Sequence, residues 1–285
     1  MIPAAFDYVR ATSLAQAIGM LESDPDGTKL VAGGHTLIPT LKLRLASPTV
    51  LVDIRGIDDL KGIEINSDRI RIGALTTHAE LLASEPLHQV LPIFRQAANV
   101  IADPQVRNRG TIGGSLANAD PSADWPALVV ALDAELELAG PRGRRRMAAS
   151  DFFVDIMTTA LEPEEVLVAV HIARPAPGTQ FRYRKIRHPA SGYAVVGVAI
   201  ALRLDAYRIA DVAIGITGAT GHAFAAETAM QHLIGQSLSP EAIDQAARLA
   251  SEQAECLTDN YASAEYRRHL IRTEVARGLA SATAA

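Results

Sequence analysis

The apolar positions in the first quarter of the chain switch between the period of a strand and that of a helix. Phe6 and Tyr8 flank a polar residue, which predicts a short opening strand. Behind Ser13, apolar residues recur at helical spacing through positions 14–21, so a helix that begins at Ser13 is predicted. Further apolar runs of strand length occupy residues 29–32, 49–54, 63–65 and 70–72.

The middle of the chain continues with one predicted helix and two predicted strands. Residues 91–101 have helical spacing, and Pro104 is expected to end that helix. Residues 134–139 alternate apolar and acidic positions, residues 166–172 form an apolar run, and both patterns predict strands. The basic stretch 141–146 predicts a solvent-exposed hairpin tip, with a docking patch for a partner as the alternative. Residues 175–178, Pro-Ala-Pro-Gly, are typical of a linker.

The last hundred residues have a different pattern, in which strands come first and helices follow. Residues 193–204 and 212–217 alternate or run apolar, as antiparallel strands do. Ser239 followed by Pro240 is typical of a helix start, and residues 266–279 predict a final helix. We therefore predict an α+β protein with one domain over residues 1–176. A second domain, over residues 177–285, is predicted to hold a three-stranded antiparallel sheet and helices.

Composition excludes several classes of protein. The chain has 285 residues and a formal net charge of −5, which argues against a general nucleic-acid binder. A single cysteine, Cys256, cannot hold an iron–sulfur cluster or a cysteine-rich zinc site, so no metal site is predicted on this chain. The sequence contains no apolar stretch of membrane-spanning length and no signal pattern near Met1, so we expect a cytoplasmic protein without a membrane span.

The first segment that could bind a ligand is Val31-Ala32-Gly33-Gly34-His35-Thr36, where a predicted strand ends in two glycines. Glycines at such a turn let the backbone approach an anion, and the following N–H groups can bind it. The segment matches neither the G-x-G-x-x-G pattern of Rossmann folds nor a P-loop. By itself it is more typical of an ordinary turn than of a phosphate site.

The second segment runs from Arg109 to Asp124 and contains three glycines, two hydroxyl side chains before position 116, and Asp120. Main-chain N–H groups and hydroxyls suit phosphate oxygens, and a downstream aspartate suits the hydroxyls of a ribose. The residues alone leave two interpretations equally open: a nucleotide site, or a glycine-rich loop with two helix-capping aspartates.

Taken together, the two segments resemble the FAD-binding medium subunits of molybdenum hydroxylases, such as those of carbon monoxide dehydrogenase and xanthine dehydrogenase. The matching motifs are Ala32-Gly33-Gly34-His35-Thr36-Leu37-Ile38-Pro39 and Thr111-Ile112-Gly113-Gly114-Ser115-Leu116-Ala117, followed by Ala119-Asp120-Pro121 and Asp124. The likeness continues through Thr159-Ala160-Leu161-Glu162-Pro163, Glu165-Val166-Leu167, Lys185, Tyr193-Ala194 and Glu265-Tyr266-Arg267. It covers nearly the whole chain in the family's order.

The resemblance implies a two-lobed FAD-binding domain of the vanillyl-alcohol-oxidase/PCMH type, with lobes near 1–56 and 57–176, and a C-terminal domain of the carbon monoxide dehydrogenase flavoprotein type. It also implies non-covalent FAD, with the diphosphate held by the backbone of two sets of residues: Ala32, Gly33, Gly34, His35, Thr36 and Leu37, and Thr111, Ile112, Gly113, Gly114 and Ser115.

The remaining implied roles concern the flavin end of the cofactor. By the resemblance, Asp124 would bind a ribose or ribityl hydroxyl, and Val106 and Gly110 would lie along the flavin. The main chain at Val166 and Leu167 would meet the pyrimidine edge of the isoalloxazine, where Lys185 would favour the reduced anion, and Tyr193 would cover one ring face. Without the family, Lys185 fits a solvated basic strand equally well, and Tyr193 fits a core position.

Function follows from the resemblance in the same way. Molybdopterin is expected on a large partner subunit and two 2Fe-2S clusters on a small one, in a dimer of heterotrimers. FAD on this chain would collect electrons and pass them to quinone, NAD or oxygen, while carbon monoxide, an aldehyde, a purine or another N-heterocycle is oxidised elsewhere. No catalytic acid or base is assigned. A stand-alone FAD-dependent oxidase and a non-catalytic nucleotide-binding module remain as alternatives.

Overall fold

The N-terminal sheet is parallel because helices separate its short apolar strands. A computed structural model describes residues 1–282 of the protein. The elements of this region are β1 (Asp7–Arg10), α1 (Leu14–Ser23), β2 (Thr28–Val31), α2 (Leu37–Lys42) and β3 (Val50–Asp53). β3 lies in the centre and pairs in parallel with β1 and β2. Ser13 caps α1 by accepting from the N–H of Gln16, and this places the buried side chains Leu14, Ala17 and Leu21 on one face.

The second sheet is antiparallel and has five strands in the order β4-β5-β10-β6-β7. Its strands, with a separate small hairpin β8–β9, are β4 (Ile63–Ile65), β5 (Arg69–Gly73), β6 (Glu135–Gly140), β7 (Gly143–Ala148), β8 (Phe153–Asp155), β9 (Thr158–Thr159) and β10 (Val166–Ala173). The central strand β10 is buried along nearly its whole length, as its run of apolar residues predicts.

Short helices connect strands of this region along the chain, most of them between β5 and β6. Apart from the 3-10 turn Asp58–Leu60, they are α3 (His78–Ala83), α4 (Glu85–Val90), α5 (Ile93–Val100), α6 (Pro104–Arg107), α7 (Ile112–Asn118), α8 (Trp125–Ala131) and α9 (Ala149–Phe152). The fully buried rings of Phe94 and Trp125 stack with centroids 5.5 Å apart and anchor α5 against α8.

The C-terminal sheet is antiparallel and has four strands, so the predicted number of three is wrong. The strands and helices are β11 (Gln180–Arg187), β12 (Ala194–Asp205), β13 (Arg208–Thr217), β14 (Phe224–Ala225), α10 (Glu227–Leu233), α11 (Pro240–Gln253) and α12 (Ala264–Ser281). The strands pair in chain order. The missed strand β14 has two residues, too few to show a period in the sequence.

Hydrogen bonds join this last sheet to the loop that precedes α8. The N–H of Ala194 donates to the carbonyl of Ser122, and the N–H of Gly218 donates to that of Pro121. The Thr217 hydroxyl lies 2.8 Å from the carbonyl oxygens of both Pro121 and Ala123. The start of β12 and the end of β13 therefore hold the short segment 121–123 in place.

Two local expectations differ from the structure. The helix α5 ends at Val100, and Pro104 instead opens α6 behind its cap Asp103, because a proline lacks an N–H that the first helical position does not need. The basic stretch expected at a hairpin tip is mostly the strand β7, and its arginines are paired: Arg144 with Glu137 and Arg145 with Glu165.

Among the helices within residues 1–282, none combines the length and the apolar character needed to cross a membrane. In the same part of the chain no three His, Cys, Asp or Glu side chains come together as a metal site would require.

Candidate functional site

A cavity of about 980 Å³ lies where the three sheets meet, and both glycine segments contribute to its wall. Every residue that the sequence predicted for cofactor binding lines this cavity except Ile112, whose side chain is fully buried in the core. The volume is near the upper end of the range for small-molecule and cofactor pockets. Segments that lie up to about 160 positions apart in the sequence thus share one cavity, as the positions of Gly33 and Tyr193 show.

The first glycine segment follows β2 directly and offers free hydrogen-bond donors. A Cβ on Gly33 would lie 2.2 Å from the carbonyl oxygen of Arg109, so only glycine allows the two segments to touch. Gly34 has a φ of 77°, which also favours glycine. Among residues 1–282, no acceptor is present for the backbone N–H groups of residues 33–36. Four consecutive free N–H groups beside a cavity suit an anion.

The second glycine segment is helical, which differs from the turn expected from its sequence. Thr111 caps α7 by accepting from the N–H of Gly114 at 3.1 Å. The N–H groups of Ile112, Gly113 and Ser115 donate to the carbonyls of Thr76, Ala74 and Thr111, respectively.

The expected diphosphate grip by the N–H groups of 112–115 is therefore not available, because all four donors already have protein acceptors. Gly113 is needed for packing instead, since a Cβ there would lie 2.4 Å from the Cβ of Ala74. What this segment offers the cavity is the Ser115 hydroxyl and the N–H of Thr111, neither of which has a partner within the described chain.

A buried ion pair forms another part of the wall. The Lys185 ammonium lies 2.8 Å from Oδ2 of Asp124 and 3.3 Å from the carbonyl oxygen of Val100. The Tyr183 hydroxyl donates to Oδ1 of Asp124 at 2.5 Å. The side chains of Lys185 and Asp124 are 3% and 6% exposed. Burial raises the pKa of Asp124, while the ammonium and the phenol oppose that effect.

This pairing changes what the two residues can do. Both carboxylate oxygens of Asp124 already accept hydrogen bonds, so a ribose or ribityl hydroxyl would have to share them. The charge of Lys185 is balanced by Asp124, whereas the guanidinium of Arg187, which also lines the cavity, has no ion-pair partner in residues 1–282. The sequence predicted no role in the site for Arg187.

The remaining predicted residues surround the cavity from other elements. Val106 lies on α6, Gly110 lies just before α7, and Val166 and Leu167 open β10. Tyr193 is 44% exposed at the start of β12, and burial, followed by the charges of Asp120 and Asp124, raises the pKa of its phenol. Tyr193 is therefore not the core residue that the sequence allowed as an alternative.

One residue of the wall had no signal in the sequence. His78 begins α3 and is 7% exposed, and it lines the cavity beside Gly110. The chain's only tryptophan, Trp125, donates its Nε1–H to Nδ1 of His78 at 3.1 Å. A histidine 47 positions from its partner has no local pattern that marks it.

Comparison with known families identifies the family of the chain. Residues 4–175 match the family described as "FAD binding domain in molybdopterin dehydrogenase", and residues 181–282 match the "CO dehydrogenase flavoprotein C-terminal domain". This chain belongs to the FAD-binding subunits of the molybdenum hydroxylases. It is thus a flavoprotein of the oxidoreductase class, and its own cofactor is FAD.

Individual members of this flavoprotein family resemble the chain from end to end. The carbon monoxide dehydrogenase medium chain of Afipia carboxidovorans is 39% identical over 100% of this chain and 99% of the relative. The solved carbon monoxide dehydrogenase from Hydrogenophaga pseudoflava gives a TM-score of 0.97 at 38% identity, covering 100% and 99% of the two chains. Quinoline 2-oxidoreductase from Pseudomonas putida 86 gives 0.94 at 32%, with the same coverage.

The cavity of this flavoprotein fits FAD on its own geometry. The free N–H groups of residues 33–36 suit the diphosphate, and the lack of a side chain at Gly110 leaves open the space beside the His78 ring on the cavity wall. A Cβ on Gly110 would lie 2.7 Å from Nε2 of His78.

Proposed function

We propose that this subunit takes electrons from 2Fe-2S clusters on a small partner and passes them from FAD to an external acceptor. A large molybdopterin-binding partner would oxidise the substrate. The observation that carries the proposal is one cavity whose wall holds both the four free N–H groups at 33–36 and the buried pair Asp124–Lys185. Bound FAD supplies the ability to accept electrons singly and to release two.

The protein's own contribution to this function is binding and orientation. The N–H groups of residues 33–36 and the Ser115 hydroxyl would hold the diphosphate. Val106 and Gly110 would lie along the flavin, and the main chain of Val166 and Leu167 would meet its pyrimidine edge.

The charged end of the site would set the preference for one redox state. We expect Tyr193 to cover one ring face, because it lies at the edge of the cavity and is partly exposed. Since Asp124 balances the charge of Lys185, we expect Arg187 to supply the net positive charge that favours a reduced, anionic flavin.

The domain boundaries and the subunit assembly are also part of this proposal. We retain domains at 1–176 and 177–285, with PCMH-type lobes at 1–56 and 57–176, and the parallel and five-stranded sheets support the two lobes. We propose a dimer of heterotrimers with the large and small partners, because relatives are named as medium chains or medium subunits. The substrate, the acceptor and the expected cytoplasmic location stay predictions.

The proposal is tested by purifying the chain alone and together with its partners. Alone, the protein should show a flavin spectrum with one FAD per chain, and acid should release the FAD because it is bound non-covalently. In the complex, substrate should bleach the flavin spectrum only when the iron–sulfur subunit is present. Reduction of the isolated chain by a substrate would instead indicate a stand-alone oxidase, and a colourless protein that binds nucleotides would indicate a binding module.

A further inference from the structure

His78 is held in one protonation state by its neighbour Trp125. The indole Nε1–H donates to Nδ1 of His78 at 3.1 Å, and an indole nitrogen can only donate. Nδ1 therefore carries no proton, and the neutral imidazole has its proton on Nε2. The two rings lie 5.7 Å apart, and both side chains are buried, so the arrangement is fixed by packing as well.

The imidazole is neutral at physiological pH. Burial lowers the pKa of His78 to about 4, and the electrostatic effects of the nearby His35 and Arg107 act in the same direction. His78 is thus a neutral donor, in contrast to the charged Lys185 on the same cavity wall.

The Nε2–H of His78 lacks a partner although its ring is buried. Within residues 1–282, no acceptor lies within hydrogen-bond distance of this nitrogen, and His78 lines the cavity. The space beside it is kept open by Gly110, since a Cβ there would lie 2.7 Å from Nε2. The backbone of Gly110 also positions the residue, because its carbonyl accepts from the N–H of His78 at 2.9 Å. The Nε2 atom is accessible from the cavity, so a group bound there can supply its acceptor.

We propose that the Nε2–H of His78 donates a hydrogen bond to the ribityl phosphate portion of FAD, and that Trp125 selects the tautomer that can do so. The inference rests on the proposed FAD site. The position of His78 on the cavity wall indicates which part of FAD would accept this hydrogen bond. His35, at the end of the free N–H groups, is close enough to influence His78, and Trp125 directly follows Asp124. In FAD, the ribityl chain joins the ring system to the diphosphate, so in the proposed site the ribityl phosphate would lie between these two parts of the wall.

The test measures binding of three ligands to the apo-protein: FAD, FMN and ADP. FMN contains the ribityl phosphate and ADP does not. His78→Phe should weaken binding of FAD and FMN about tenfold and leave ADP unchanged. His78→Gln should restore most of the affinity, because its amide N–H₂ reaches a similar position. The control is His88→Phe, since His88 is equally buried but lies outside the cavity, and both of its ring nitrogens have protein partners.

A second measurement does not depend on the stability of the variants. Nitrogen-15 NMR of histidine-labelled wild-type protein should show His78 protonated at Nε2, with a further shift of that resonance when FMN binds. Trp125→Phe should give a mixture of tautomers. Unchanged FMN affinity in His78→Phe, equal losses for FMN and ADP, or a proton on Nδ1 would each overturn the inference. A wild-type protein that binds no FAD would instead overturn the proposed function itself.

Discussion

Replacing Asp124 by Asn should cost about 3–5 kcal/mol of unfolding free energy at pH 7, because it leaves the Lys185 ammonium buried without a counter-charge. The Lys185 ammonium has two protein acceptors, Asp124 and the carbonyl of Val100. After the substitution, only the Val100 carbonyl, at 3.3 Å, would remain unchanged. The Tyr183 hydroxyl would at the same time lose a charged acceptor. Lys185→Met should cost a similar amount, since it leaves a buried carboxylate that only Tyr183 opposes directly.

The double variant Asp124→Asn/Lys185→Met should be far more stable than the sum of the two single losses predicts. Neither charge then remains, so a coupling energy of about 3 kcal/mol is expected. Urea unfolding of the apo-proteins, followed by circular dichroism, gives the three values. The matched control is the exposed pair Asp244–Arg272, where Asp244→Asn should cost less than about 1 kcal/mol. Additive losses at Asp124 and Lys185, or a loss at Asp124 no larger than in the control, would refute the reasoning.

Three further changes have defined outcomes. Burial lowers the pKa of His78 from 6.5 to about 4. The contribution of its neutral imidazole to the free energy of unfolding is therefore fully present above pH 6.5 and is lost as pH falls through 4. Urea unfolding should therefore show about 3 kcal/mol less acid destabilisation in His78→Gln than in wild type. Gly33→Ala should abolish FAD binding in titrations by colliding with the Arg109 carbonyl, whereas Gly19→Ala, in open space within α1, should stabilise the fold by about 0.5–1 kcal/mol. Arg267→Met should lower the thermal midpoint by removing charged hydrogen bonds to the carbonyls of Val195 and Gly218.

Local pattern was sufficient where one segment determines its own structure. The apolar run before Gly33 predicted a strand that ends at a turn, and β2 ends at Val31. Ser239 before Pro240 predicted the start of α11, where Ser239 caps the helix by accepting from the N–H of Ala242. In these cases the hydrogen-bond partners lie within a few positions, so the order of residues is enough to specify them.

Local pattern failed where distant segments decide the outcome. Gly113 and Gly114 have low helix propensity, yet they lie in the first turn of α7, because Thr111 caps it and Ala74 leaves no room for a side chain. The pairing of Asp124 with Lys185 spans 61 positions, and no periodicity reports on such a contact. The site's charge balance was therefore outside what composition and spacing can predict, even though nearly all of its residues were named.

The backbone hydrogen bond from Ala194 to Ser122 has a consequence for how the protein can be divided into fragments. The segment that precedes Asp124 is secured by strands encoded some 70 to 95 positions later, and the counter-ion of that aspartate comes from the same C-terminal sheet. A fragment that stops before residue 180 would carry the glycine segments but would leave this carboxylate without its cation. Residues from both parts of the chain thus line the cavity, so we expect that exchanging one part with that of a relative would disturb the Asp124–Lys185 pair.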